Sequence, residues 1–454
     1  MKLHVADSAY VEFLYTIPLE NIVQRDYMID FSINFVGMNL FMASQANEGA
    51  LSVDWQGVSY HLEKSYRSEN RYSTIFFSDA AGNEGPGNLG SREGTVEKDV
   101  NSLRWIAFKQ QFFSSVFIAQ DKFLGATMRF DSFKYDSGKV KDFSAKIAVP
   151  FNLATPSYHF NFYFGPNKYS LLRSFNLQLQ KLVPLGGWII GWVNRWIVIP
   201  VFDFLGGFIS SFGLIIFLLT LFIKILIMPL TYKSYISQAK MRLVKPEIDE
   251  LAKKFPKPED AMKKQQATME LYKKAGINPL GGCIPLLIQF PILIAMFYFF
   301  PASIELRGQS FLWANDLSSY DSILSLPFTI PFYGSHVSLF ALLMAASVVI
   351  TSKLNYAQTA SAGPQMAGMK FMMLYIMPIM MLAWFNDYAS GLSYYYFLSN
   401  IITIGQTYAF RYAVDEKKLH EKMKANAKKP RKKSKWTERY EEMLKEQQKQ
   451  ARKR

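Results

Sequence analysis

The chain has 454 residues, half of them hydrophobic, with a net charge of +15 at pH 7 and a single cysteine, Cys283. One cysteine excludes an intrachain disulfide, so any soluble domain must stand on its own packed core. The positive excess lies in one loop and the tail, both beside apolar runs, so membrane topology accounts for it before nucleic-acid binding does.

Up to about Lys181 the chain is polar and aromatic, with no long apolar run. At 29–35 apolar and polar residues alternate, as a half-buried strand requires. Segments 51–62, 71–77 and 144–151 read the same way, and Asp136-Ser137-Gly138-Lys139 is a hairpin turn signal. Repeated strands with turns between them predict an all-β sandwich of antiparallel sheets over 1–181. Residues 83–94, rich in Gly and Asn, read as a surface loop. No metal cluster, Gly-rich phosphate loop or nucleophile motif appears in this half, and no cofactor is expected.

Trp188, Trp192, Trp196 and Phe204 recur at near-helical spacing. That pattern suits an amphipathic helix in the membrane interface, placed at 182–207. Five spans are expected next, at 208–230, 284–300, 338–354, 371–384 and 392–410. Together they predict an α-helical multi-span membrane domain over 208–410. Eleven basic residues crowd the first connection, from Lys233 to Lys274, whereas residues 301–331 hold Arg307 alone. Positive loops stay inside, so this loop and the basic tail, 411–454, are expected in the cytoplasm and the β-domain outside. Met1–Tyr15 has no apolar export segment, which points to an N-terminally incomplete chain.

The loop at 233–276 reads as an antiparallel helical hairpin, with helices at 235–255 and 259–275 parted by Pro256 and Pro258 and ended by Gly276. Ile236, Ala239, Leu243, Ile248, Leu251 and Phe255 share one face, with Ala261, Met262, Met269 and Tyr272 expected opposite. Such a basic hairpin suits first contact with a partner or nascent chain, and it also reads as a solvated loop.

Lys224 lies within the first span. An ammonium at a helix centre costs roughly 2.5–3.5 kcal/mol on insertion scales. Counting at about 1.5 Å per residue, it sits roughly 12–14 Å from Lys233, nearer the midplane than the headgroups. Snorkelling toward the inner surface is the ordinary alternative. Thr220 is one turn away on the same face. Gln289 lies on the second span, Ser347 and Thr351 on the third, and Ser399, Asn400, Thr403, Gln406 and Thr407 on the last; Ser399, Thr403 and Gln406 line one face. Singly these read as interhelical hydrogen bonds; together with a lysine they read as a hydrated cavity. The fourth span leaves only 16 residues between Lys370 and Asp387, about 24 Å of helix against a core of roughly 30 Å. A span that short thins the bilayer locally.

Lys245-Pro246, Asn278-Pro279-Leu280-Gly281-Gly282-Cys283, Pro285-Leu286-Leu287-Ile288-Gln289 and Ser390-Gly391-Leu392 resemble the YidC/Oxa/Alb membrane protein insertases over residues 188 to about 411. The β-domain looks like the periplasmic domain of the forms from bacteria with two membranes. The resemblance implies a multi-pass inner-membrane protein that inserts and helps fold membrane proteins, alone or with the Sec translocon. It also implies a groove open to cytoplasm and lipid. Lys224 matches the family's groove cation, usually arginine, and Thr220, Gln289, Ser399 and Thr403 match its polar groove positions. Lysine cannot make arginine's bidentate fork, so only a mechanism needing charge alone carries over. The family's extra N-terminal span is absent from this sequence.

The expected activity is therefore binding rather than bond chemistry. The rival reading is a secondary transporter using Lys224 as its coupling or substrate site, which lacks the usual internal repeat. An intramembrane hydrolase lacks a Ser–His or paired-Asp arrangement: His336 is the only histidine near a span, and Asp387 stands alone at a span end. The tail, with Lys428-Lys429-Pro430-Arg431-Lys432-Lys433 and a short helix expected at 436–449, suits ribosomal RNA or the anionic inner leaflet.

Overall fold

The computed structural model describes residues 1–17, 26–38, 41, 48–80, 85–152, 155, 157–256, 260–277, 284–359 and 371–427. The motif at 278–283 with Cys283, Pro258 of the hairpin, the start of the 83–94 loop, and the tail with its expected helix at 436–449 lie outside them. Two compact units divide the chain. One holds Met1–Leu221, Phe290–Ser347 and Pro378–Ser399; the other holds Phe222–Gln289, Val348–Met377 and Asn400–Arg454.

The first unit begins with ten antiparallel strands: β1 (Lys2–Ala6), β2 (Ala9–Thr16), β3 (Met28–Val36), β4 (Glu48–Tyr60), β5 (Thr74–Asp79), β6 (Gly87–Asn88), β7 (Thr95–Lys109), β8 (Phe113–Ser132), β9 (Lys139–Asn152) and β10 (Ser157–Pro166). The expected sandwich of two sheets is one hydrogen-bonded sheet folded over itself. The fork is β8, whose 20 residues are long enough to serve two partners on one edge. Residues 113–119 pair with β10 and residues 125–132 with β9, while β7 runs along the other edge. The fold-over brings Trp55 of β4 onto Phe108 of β7, ring centroids 3.8 Å apart, although these strands are not neighbours in the sheet. Phe117, Phe123, Met128, Phe130, Ala145 and Ile147 fill the core. Their alternation with polar residues is the period of two that places one strand face inward. At the β8–β9 turn Gly138 takes φ 69°, where a side chain would be strained.

The strand expected at 71–77 starts later. Its first two residues close a short helix, α1 (Tyr66–Tyr72), whose N-cap Ser65 accepts from the Ser68 amide. At its other end two buried lysines satisfy orphan carbonyls: Lys109 Nζ donates to Tyr72 O at 2.8 Å and Lys141 Nζ to Ser73 O at 2.7 Å. Burial pushes Lys109 down to about 7, helped by the neighbouring Lys141, and burial pushes Lys141 down to about 8.

Next come α2 (Tyr169–Ser174), α3 (Trp188–Val193) and α4 (Ile199–Gly206), the last two joined by a π-helical turn at Asn194–Val198. This helix buries Val193, Val198, Ile199 and Phe202 and exposes Trp188, Trp192, Trp196 and Phe204.

The expected break between first span and hairpin is absent, because α5 runs unbroken from Phe212 to Leu243, 32 residues with Pro229 inside. A change from apolar to polar residues alters which solvent a helix faces, not its backbone, and Thr231–Arg242 holds no breaker. The break falls at Val244, where Lys245-Pro246 opens α6 (Lys245–Lys254) with proline in the first turn, its favoured place. Helix α7 (Ala261–Ala275) ends at Gly276, φ 71°.

The remaining elements are α8 (Ile284–Ala302), β11 (Leu324–Ile330), β12 (Gly334–Val337), α9 (Leu339–Thr359), α10 (Met377–Phe385, after a π-helical turn at Met372–Ile376), α11 (Ser390–Ala413) and α12 (Glu416–Ala427). Trp188–Gly206 and Phe212–Leu243 are long and apolar enough to cross a bilayer; Leu287–Ala302, Leu339–Leu354 and Met372–Phe385 are shorter apolar helices. The β11–β12 hairpin occupies the stretch read from sequence as plain loop.

Candidate functional site: a buried lysine on α5

Lys224 is 2 % exposed, and its Nζ donates to Thr403 Oγ1 of α11 at 2.8 Å. Gln406, one turn further along α11, donates to the Lys224 carbonyl at 3.4 Å. Among the described residues no carboxylate pairs with the amine. A lysine carries three donors, so a single hydroxyl is a sparse partner for a buried ammonium. The amine is enclosed by its neighbours.

The other expected site residues divide. Thr220 is fully buried on the same α5 face, with its hydroxyl donating to Ile216 O of its own helix at 2.6 Å. On α11, Ser399 is buried and Asn400 half-buried, and Thr407 donates to Thr403 O at 2.8 Å. Gln289 is half-buried, and among the described residues no hydrogen bond joins it to Lys224. Of the expected residues, the structure joins Thr403 and Gln406 to Lys224 by hydrogen bonds.

The hairpin also differs from its reading. Ala239 and Ile248 are buried as expected, but Met262 is 68 % exposed and Met269 is also exposed. The face they were expected to cover is taken by α12, whose Met423 and Leu419 pack with Met241, Val244, Ile248, Leu271 and Tyr272. Arg242 and Glu416 pair beside it at 3.1 Å. Leu419 and Met423 stand four apart in a charged stretch, a helical spacing the sequence displayed but its charge masked.

Three further buried polar residues went unread. Asn194 is fully buried and donates to Leu185 O and to Ala295 O of α8, each at 3.0 Å. Asp321 caps α9 from a distant loop. Its carboxylate accepts from the amides of Leu339 (2.8 Å) and Phe340 (3.1 Å), the Ser338 hydroxyl and the Trp313 indole. Asn386, fully buried, accepts from the Ser338 amide and donates to the carbonyls of Tyr333 and His336. Asp387 does not stand alone, because His336 lies beside it. The His336 ring stacks on Tyr320 at 3.9 Å, and its Nε2 lies 2.9 Å from Asn386 O and 3.8 Å from Asp387.

The family model described as 60Kd inner membrane protein matches residues 204–436, and the one for the YidC periplasmic domain matches residues 21–203. Proteins named membrane protein insertase YidC resemble the whole chain. That of Parabacteroides distasonis is 44 % identical, covering 100 % of this chain and 72 % of its own length. That of Bacteroides fragilis is 43 % identical (100 % and 74 %), and that of Porphyromonas gingivalis 40 % identical (98 % and 72 %). The chain belongs to the YidC family of membrane protein insertases. Its function is thus insertion of membrane proteins, and its clients are nascent membrane proteins. The β-sheet domain from β3 onward falls in the YidC periplasmic domain, and the helices from α5 to α12 fall in the inner-membrane part of the family. The transporter reading is not favoured by any of these likenesses.

Proposed function

We propose that Lys224 is the transient anchor for the acidic or polar part of an incoming segment, acting by binding and without bond chemistry or a cofactor. The observation that carries this is the buried amine held by one neutral hydroxyl. A client carboxylate offers a charge-assisted hydrogen bond, about twice as strong as a neutral one, so exchange of Thr403 for the client is downhill once the site opens. Thr220, Gln289, Ser399, Asn400, Thr403 and Gln406 then line the path with hydroxyls and amides that lower the desolvation cost of passage. The apolar part of the segment leaves into lipid between the helices.

In this reading the chain is a multi-pass inner-membrane protein with five spans, the β-domain in the periplasm and the hairpin and tail in the cytoplasm. The exposed Met262 and Met269, among the lysines of α7, are the first contact for the nascent chain, since flexible thioethers adapt to varied apolar sequences. The basic tail engages ribosomal RNA or the anionic inner leaflet, and the Sec translocon is a partner for some clients.

Site-specific crosslinking from position 224 to a stalled nascent membrane protein tests the anchor. Adducts with the client are the expected result, and their absence in an actively inserting preparation overturns it.

A further inference from the structure

Away from Lys224, a cleft of about 390 Å³ opens beside α10 in the first unit. Its two walls have opposite chemistry. Arg67 and Arg71 of α1 form one, and Met380 and Trp384 of α10 form the other, with Phe332 at the tip of the β11–β12 hairpin and Asp387 at the end of α10 completing the rim. Phe332 is 97 % exposed, and Trp384 and Met380 are also exposed.

Two facts decide what such a cleft takes. Arg71 is pre-set, its guanidinium donating to the Tyr388 hydroxyl at 2.9 Å. Arg67 is exposed, and among the described residues no carboxylate pairs with it. Two guanidiniums facing one carboxylate leave the cleft cationic with one anionic corner. A free anion gains nothing from the apolar wall, and an acidic peptide gains nothing from Asp387. A molecule with a phosphate, an ammonium and an acyl chain uses all three.

We propose that this cleft binds an amine-bearing glycerophospholipid of the outer leaflet. Its phosphate lies between Arg67 and Arg71, its ammonium beside Asp387, and its acyl chain along Met380 and Trp384. Guanidinium suits phosphate through its fork of donors, and an indole at the end of an apolar helix marks headgroup depth. The placement rests on the topology proposed above, with α10 in the bilayer and α1 outside it. Bound there, the lipid ties the β-domain to the membrane surface.

The test uses the full chain in detergent, with native mass spectrometry counting what is retained after addition of phosphatidylethanolamine, phosphatidylglycerol, inorganic phosphate or an acidic peptide. The wild type retains one phosphatidylethanolamine in preference to phosphatidylglycerol, and millimolar inorganic phosphate does not displace it. Arg67→Gln, which breaks no hydrogen bond or ion pair among the described residues, reduces retention about tenfold, the ratio one charge-assisted hydrogen bond supplies, and Arg67→Lys restores part of it. Asp387→Asn abolishes the headgroup preference. Unchanged retention in Arg67→Gln overturns the proposal, as does displacement by inorganic phosphate, which marks a simple anion site. Retention of an acidic peptide in place of the lipid overturns it too. The topology is read separately, from labelling of Phe332→Cys by an impermeant maleimide applied outside the membrane. Failure there sinks the orientation and leaves the lipid measurement on purified protein standing.

Discussion

The ammonium of Lys224 on α5 reaches the hydroxyl of Thr403 on α11, 179 positions along the chain, at 2.8 Å. A residue costly to place in an apolar helix is thus given one polar neighbour and enclosed. Substitution at this pair separates charge from packing. Lys224→Arg keeps insertion of dependent clients, whereas Lys224→Glu abolishes it by repelling acidic segments and burying an unpaired carboxylate. Complementation in a depletion strain reads both, and equal growth of wild type and Lys224→Glu would falsify the anchor.

Thr403→Val tests the other partner. Without the hydroxyl the amine loses its acceptor, at about 1–3 kcal/mol for an unsatisfied buried donor. Thermal stability falls, and because the charge stays available to clients, insertion per folded molecule drops far less than in Lys224→Glu. A loss of insertion equal to that of Lys224→Glu, at unchanged stability, assigns Thr403 a direct role in client binding.

Removing the distant cap of α9 weakens the helix start. Asp321→Ala leaves the Leu339 and Phe340 amides and the Trp313 indole without their shared acceptor. Loss of a cap alone costs about 0.5–2 kcal/mol, and burial of the freed donors adds to it. The expected result is a lower unfolding temperature with normal β-domain structure by proteolysis. An unchanged unfolding temperature shows instead that α9 starts without help from Asp321.

The β-domain carries a pH signature. Lys109 and Lys141 titrate at about 7 and about 8 in the fold and at about 10.4 when unfolded. Between those values the unfolded chain holds more protons, so stability rises with pH from about 7 to about 10 and is least below 7. Denaturant unfolding of the purified protein across that range shows the slope. Lys109→Met, which removes the more strongly shifted group, flattens it, and a slope unaltered by that change means that other groups produce it.

Helix α12 locks the base of the hairpin. Met423→Ala removes a buried side chain from the cluster around Ile248, at about 2 kcal/mol, the low end of such substitutions because the cluster is small. Limited proteolysis then cuts between α11 and α12 sooner, while the Arg242–Glu416 pair, half in water, contributes little by itself. Unchanged cleavage kinetics show that α12 is held by other contacts.

Much was legible beforehand because its signals are local. Alternation marked strands β3, β4 and β9, Gly138 marked the β8–β9 turn, and apolar runs marked the helices α8, α9 and α11 close to their observed ends. Lys224 was conspicuous for the opposite reason, as one charge within such a run. Local signals failed where two environments meet in one element: α5 crosses the expected boundary at 230 because helical hydrogen bonding does not register a change of solvent. They failed again at residues 71–72, where a capped turn outcompeted the strand pattern.

By itself, then, the sequence determined many of the strands and helices and where a lone cation lies, since period and polarity act within a few residues. Only the tertiary structure decided the partners: Thr403 for Lys224, Asp321 for the start of α9, Asn194 for α8 and α12 for the hairpin. Each joins residues far apart in the chain, where geometry alone sets which donor meets which acceptor, and burial makes the meeting obligatory.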